Sequence, residues 1–198
     1  ALPNLIAACG RNIDRGIAEL ALFEVGPSYS DPSPAGQWTV AAGVRRGRAG
    51  PRHWLTEARP VDAYDAKADC LAALESVGAP LDKIQAHATA PPWYHPGRSA
   101  ALKLGPKTVL GHFGEIHPRV LEALDVAGPL VAFEVFLDEL PRPKKKPSRT
   151  RPRLRTSEFQ TVARDFAFVV DAGVAAGDLV QAARGADEIG AGQPHQRS

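Results

Sequence analysis

The 198-residue sequence contains no methionine, not even at its first position, so it is expected to be a fragment of a longer polypeptide. It has two cysteines, Cys9 and Cys70, far apart and flanked by small apolar residues. Two such thiols are expected to be reduced and buried, as in a cytosolic protein. No apolar run approaches the roughly 20 residues that a membrane-spanning helix needs. No signal-peptide pattern is seen at the start, where the chain opens inside a predicted helix, and the expected location is cytoplasmic. There is no P-loop and no Gly-x-Gly-x-x-Gly fingerprint. Neither a Gly-x-Ser-x-Gly elbow nor a zinc-protease pair of histidines four apart on a helix occurs. No self-contained active site is visible.

What is present suits one large domain, or one domain with part of another. Hydrophobic residues make up 44% of the chain, an ordinary fraction for a soluble globular protein. The net charge is only +2, but it is unevenly spread. From Pro141 to Arg155 lie Arg142, Lys144, Lys145, Lys146, Arg149, Arg151 and Arg153, with Pro141, Pro143, Pro147 and Pro152 among them and no acid. Proline removes backbone donors and fixes φ, so residues 141–156 are expected to be an extended linker between domains. Such a tract can follow a phosphate backbone, releasing a counterion at each neutralised phosphate. It can equally be a charged spacer, and charge alone leaves both readings open.

Periodicity predicts a helix from Pro3 to about Arg15, with Leu2, Leu5, Ile6, Cys9 and Ile13 on one face and Gly16 ending it. A short buried strand, Glu19 to Val25, should stop at Gly26-Pro27. A loop over Asp31–Gly36 and a strand from Trp38 to Val44 follow. Asp65 to Val77 is amphipathic, with Cys70, Leu71, Leu74 and Val77 at helical spacing. Strands are expected at Ile84–Ala88, Ser99–Leu104, Thr108–Glu115 and Leu130–Leu137, with a helix Pro118–Leu124 before the last. The resulting fold class is α+β, an antiparallel sheet with helices packed on one face. Beyond the linker, Phe159–Asp171 reads as a strand and Asp178 opens a helix, too little to bury a core alone. Residues 188–198 have no apolar period and are expected to be a disordered or non-native tail.

The densest chemistry lies in Trp93-Tyr94-His95-Pro96-Gly97-Arg98-Ser99 and in Gly111-His112-Phe113-Gly114-Glu115-Ile116-His117-Pro118. Imidazole and carboxylate suit zinc, but His112 and His117 should point to opposite faces of a strand, so no metal site is expected. Ser99 follows an ordinary turn. His95 and His117 each precede a proline, which holds the histidine extended and makes a sharp entry into the next element. Both can be structural turns. Alternatively Trp93, Tyr94, His95, Arg98, Glu115 and His117 converge at strand ends as a pocket. Within that set, Arg98 and Glu115 are expected to form an internal ion pair.

These segments, in order, resemble the beta subunit family of bacterial phenylalanyl-tRNA synthetase. The resemblance also takes in Leu22-Phe23-Glu24-Val25-Gly26, Tyr64-Asp65-Ala66-Lys67-Ala68-Asp69, Gly105-Pro106-Lys107 and Phe133-Glu134-Val135. It continues into Ser157-Glu158-Phe159-Gln160 and Arg164-Asp165-Phe166-Ala167-Phe168-Val169-Val170. It implies the C-terminal part of that subunit. Residues 1–140 would be a class II synthetase-like core without catalytic residues, and 157–187 the truncated start of a ferredoxin-like anticodon-binding domain. Thr161 stands where the family usually has proline. The resemblance further implies an alpha2beta2 heterotetramer that aminoacylates tRNA(Phe), with ATP and magnesium on the alpha subunit and no cofactor on this chain. Adenylate formation needs cations aimed at phosphate, and the loop Ser28–Gln37 holds no arginine. The implied role is architectural, with the basic tract Lys144, Lys145, Lys146, Arg149, Arg151 and Arg153 as candidate tRNA contacts. Two other classes compete: a stand-alone nucleic-acid-binding module using that tract, and a small hydrolase with its pocket at His95, Glu115 and His117.

Overall fold

The computed structural model describes residues 1–51, 53–55, 57–141, 160 and 162–190, with no side-chain description for 187–190. The chain divides into two compact units, Ala1–Pro143 and Lys144–Ser198. The basic tract lies outside the described residues.

The first unit is built on a sheet whose every pairing is antiparallel. Its elements are α1 (Leu2–Asp14), β1 (Leu20–Tyr29), β2 (Gln37–Arg46), α2 (Ala63–Ser76), β3 (Ile84–His87), β4 (Tyr94–Leu104), β5 (Thr108–Ile116), α3 (Pro118–Ala123) and β6 (Val131–Phe136). The strand order is β1-β2-β6-β5-β4-β3. The central strands β2 and β6 are apolar on both faces, and that composition decides the architecture. Val40, Ala42, Val44 and Ala132 pack with Leu2, Leu5, Ile6 and Cys9 of α1. Ala41, Val131, Phe133 and Val135 pack instead with Ala66, Cys70 and Leu74 of α2. The helices therefore lie on both faces rather than one. A strand hidden on each side needs a cover on each side.

Both cysteines are free and buried beneath those helices. Burial pushes the Cys70 thiol up to about 12, so little reactive thiolate forms at neutral pH.

Strand β1 differs from the expectation in two ways. It is an edge strand, with Phe23 62% and Val25 54% exposed, and it runs through Gly26-Pro27 to Tyr29. Proline is tolerated on an edge, where its missing N–H can face solvent. Val77 is likewise outside helix and core, because α2 stops at Ser76.

The start of α2 is fixed by a capping box. Asp62 accepts from the backbone N–H of Tyr64 at 2.8 Å, and Asp65 accepts from that of Asp62 at 2.9 Å. Arg59 bridges both carboxylates. Asp62→Ala is expected to cost about 1 kcal/mol, read from the urea midpoint, with Asp62→Asn losing less.

In the second unit the described residues 162–171 form no strand, and α4 (Ala176–Gly190) is the only regular element among the described residues. The expected alternation is present, since the Phe166 and Phe168 rings stack 6.4 Å apart. A strand exists only against a partner, and none is present among the described residues. Residues 188–190, expected to belong to a disordered tail, are the last turn of α4, and 191–198 lie outside the description.

Candidate functional site

Strand β4 begins five residues earlier than periodicity suggested, at Tyr94 instead of Ser99. Tyr94 pairs with Ile116, and the next pair is Ser99 with Gly114. His95, Pro96, Gly97 and Arg98 therefore stand opposite Glu115 alone, a large bulge in the ladder. Ser99 follows this bulge rather than an ordinary turn. The bulge closes on itself: the Ser99 hydroxyl donates to the His95 carbonyl at 2.6 Å, and the Gly97 N–H donates to His95 Nδ1 at 3.1 Å. Under it, Gly114 has φ 148°, and a Cβ there would sit 2.5 Å from the Arg98 carbonyl oxygen. Only glycine lets the bulge cross its partner strand this closely.

Arg98, at the end of the bulge, donates from Nε to Glu115 Oε2 at 2.5 Å and from a terminal nitrogen to Glu115 Oε1 at 2.9 Å. This fork is the expected internal ion pair. The arginine side chain is 52% exposed, so solvent screens the pair and its contribution to stability is small. His117 precedes α3 and its Nδ1 accepts from the Arg119 N–H at 3.1 Å. The His95 and His117 rings stack 6.3 Å apart. Each presents its Nδ1 lone pair to a backbone N–H, which puts the neutral ring's proton on Nε2. Neither ring then offers a lone pair to a metal or to a proton abstracted from substrate. Among the described residues no group of three His, Cys, Asp or Glu side chains could hold a metal ion.

Trp93 and Tyr94 turn away from that cluster, toward Glu134, which the sequence reading includes in the motif Phe133-Glu134-Val135 but to which it gives no role. The Trp93 indole N–H and the Tyr94 hydroxyl both donate to Glu134 Oε2, each at 3.3 Å. Tyr94 also lies 6.3 Å from the His112 ring, which meets Phe136 edge-on at 5.3 Å. The six predicted pocket residues thus divide into two sets and do not converge on one cavity. In sequence, Glu134 is only a lone acid between Phe133 and Val135; its partners lie 40 and 41 residues away.

Tyr94, Glu134 and His112 are withdrawn from solvent to different degrees, and their ionisation responds accordingly. Burial pushes Glu134 above the usual carboxylate range, although the Trp93 and Tyr94 donors pull it back. Tyr94 is pushed well above the ordinary phenol value, by burial first and then by the Glu134 charge. His112 is lowered to about 4 by burial and by Lys103, so its ring is neutral at pH 7. Its Nδ1 has no hydrogen-bond partner. The Trp93 and Tyr94 hydrogen bonds to Glu134 and the ring contacts of His112 tie β4, β5 and β6 together.

The site can also be set beside known proteins. A family model described as the phenylalanyl tRNA synthetase beta chain CLM domain matches residues 1–137. A phenylalanine–tRNA ligase beta subunit from Rhodospirillum rubrum is 59% identical over 187 residues, covering 94% of this chain and 23% of that protein. The corresponding subunit of Mesorhizobium japonicum is 56% identical over 191 residues, covering 94% and 24%. This chain therefore spans about a quarter of the length of these relatives. A pyrrolysyl tRNA synthetase from Desulfitobacterium hafniense superimposes with a TM-score of 0.49 at 17% identity, over 69% of this chain and 45% of that one. The motifs had implied the C-terminal part of the subunit. That placement is corrected: the match is to the CLM domain, at the N-terminal end of this chain. With a family model covering residues 1–137, the chain belongs to the phenylalanyl-tRNA synthetase beta chain CLM domain family.

Proposed function

We propose that this chain is the non-catalytic, class II synthetase-like core of a phenylalanine–tRNA ligase beta subunit. Its role is architectural: in the cytoplasm it packs against the catalytic alpha subunit of an alpha2beta2 heterotetramer that aminoacylates tRNA(Phe). The observation that carries this reading is the self-sufficiency of the site. Arg98 is engaged by Glu115, Trp93 and Tyr94 by Glu134, and His95 and His117 by backbone N–H groups. The loop after β1 supports it further. It contains no arginine, and its one carboxylate, Asp31, accepts from the Ser33 N–H at 2.8 Å to shape the turn. Adenylate formation relies on cations aimed at phosphate oxygens, and this loop offers none. ATP and magnesium belong on the alpha subunit in this reading. Phenylalanine-dependent ATP–pyrophosphate exchange is expected to be at background for the chain alone. Exchange by the chain alone that is lost in His117→Ala would overturn the reading in favour of catalysis here.

The reading extends beyond the linker. Residues 157–187 are taken as the opening of a ferredoxin-like anticodon-binding domain, in which 162–171 would become a strand once a partner strand is supplied. Lys144, Lys145, Lys146, Arg149, Arg151 and Arg153 are taken as phosphate contacts to tRNA. Affinity for tRNA(Phe) is then expected to fall steeply with salt. Each contact removed by Lys→Gln in the Lys144–Lys146 run should flatten log K against log salt by roughly 0.7–0.9. An unchanged slope in the triple variant would remove this tract from the interface.

A further inference from the structure

The sheet has two edges, and they are not alike. Strand β3 is four residues long, a length that protects an edge from pairing with another chain. Strand β1 is ten residues long and, among the described residues, pairs only with β2. Its two faces also differ. Leu20 and Leu22 pack against the core that α1 covers. Ala21, Phe23, Val25, Pro27 and Tyr29, on the opposite face, are all exposed or half-buried. Nothing in the described structure covers them, and a groove of about 410 Å³ runs from Ala21, Phe23 and Val25 past Gly43 to Ala73 and Phe133.

The register across the first strands explains the position of Phe23. Phe23 pairs with Gly43, which in turn pairs with Phe133. A Cβ on Gly43 would sit 2.5 Å from the Phe133 ring, so glycine leaves the room that brings the two phenylalanine rings to 6.3 Å. Phe23 is thereby held upright on the edge strand and not folded over its end.

Pro27 fixes which main-chain groups point outward. A proline inside an edge strand keeps its nitrogen on the solvent side, since it has no N–H to give to the neighbouring strand. Residues of the same parity, Ala21, Phe23 and Val25, then direct their N–H and C=O groups outward too. We propose that β1 is a self-pairing edge: a second copy of this chain adds antiparallel to it about a two-fold axis at Phe23.

In that arrangement Ala21 faces Val25 of the second copy, Phe23 faces Phe23, and Val25 faces Ala21. Each pair exchanges two main-chain hydrogen bonds, and their side chains form one apolar row. A two-fold contact must be complementary to itself, and this strand is. Glu24, its only charge, lies opposite Leu22 of the second copy, so no like charges meet across the axis. Pro27 limits the pairing on one side by withholding its donor, which centres the contact on Phe23. The inference does not depend on the role proposed for the chain in a synthetase.

The test is sedimentation velocity on the 198-residue chain over a hundredfold concentration range, with amide hydrogen exchange at the ends of that range. The expected result is a shift from one chain to two, with slowed exchange at Ala21, Phe23 and Val25 in the dimer. Val25→Pro removes an outward N–H and spares the β2 ladder; it should keep the wild-type circular dichroism and remain a monomer. Phe23→Lys sets two cations against each other at the axis and should also abolish the dimer, deciding the matter if Val25→Pro fails to fold. A wild-type chain that stays monomeric throughout overturns the proposal. So does a folded Val25→Pro or Phe23→Lys variant that dimerises like the wild type, which would place the contact on another surface.

Discussion

Replacing Gly114 by alanine is expected to cost at least about 3 kcal/mol, a large share of the stability of a domain of this size. Two penalties combine. The backbone at Gly114 has φ 148°, a conformation that side-chain-bearing residues rarely adopt. A Cβ would also lie 2.5 Å from both the Arg98 carbonyl oxygen and the Ser99 Cα, and both are main-chain atoms of the bulge that cannot swing aside. Relief would require the bulge to lift, breaking the Ser99–His95 hydrogen bond and the Arg98–Glu115 fork. Gly105→Ala is the matched control. Gly105 has φ 67°, and a methyl group there would meet nothing within 4 Å, so it carries the conformational penalty alone, about 1–2 kcal/mol. Urea unfolding followed by circular dichroism separates the two. Equal losses in both variants would mean that the bulge is not locked on Gly114.

The second large effect is a loss of stability on acidification, centred on His112. Its folded value is lowered to about 4 from an ordinary 6.5, because burial and Lys103 disfavour the cation. The unfolded chain therefore binds a proton that the folded chain refuses. The stabilisation is complete above pH 6.5 and is lost as pH falls toward 4, amounting to at most about 3 kcal/mol. Glu134 works in the opposite direction. Its folded value is raised by burial, so its contribution is present at low pH and lost as pH rises through that value. His112→Phe keeps the edge-on packing against Phe136 while removing the titration and the orphaned Nδ1. Denaturation midpoints for that variant should vary less between pH 6.5 and 4 than those of the wild type. An unchanged pH profile would show that His112 is not the group responsible.

Much of the first unit can be read from local sequence, because its signals are local. Leu2, Leu5, Ile6 and Cys9 recur at helical spacing and do line the buried face of α1. The antiparallel succession of β3, β4 and β5 follows from strands that directly succeed one another, and β6 joins them after the short helix α3. What cannot be read depends on pairings distant in the chain. Whether β1 is central or at an edge depends on β6 inserting beside β2, a contact almost a hundred residues away in sequence, as between Val40 and Phe136. The bulge reads as a turn for the same reason: its length is defined only against Gly114 and Ile116. The helices on both faces are foreshadowed by the unbroken apolar run of β2, Val40-Ala41-Ala42-Gly43-Val44, which does not alternate as a half-exposed strand would.

The candidate site shows the same division. The Arg98–Glu115 pair is predictable because both residues sit in the two unusual motifs. Glu134 is not, since a single acid in an apolar strand reveals its partners only once β4 and β6 flank β5. The motifs themselves, rich in histidine, proline and glycine, have a structural explanation. Proline and glycine form the bulge, Gly114 passes beneath it, and the two histidines cap backbone turns. A cluster of chemically versatile residues here encodes geometry, which accords with the architectural role proposed above.

The central claim is that this core serves assembly, and co-expression with a bacterial phenylalanyl-tRNA synthetase alpha subunit tests it most directly. Size-exclusion chromatography is predicted to show the two chains co-eluting as a stable complex. Separate elution of two folded proteins would contradict the architectural role proposed for this chain.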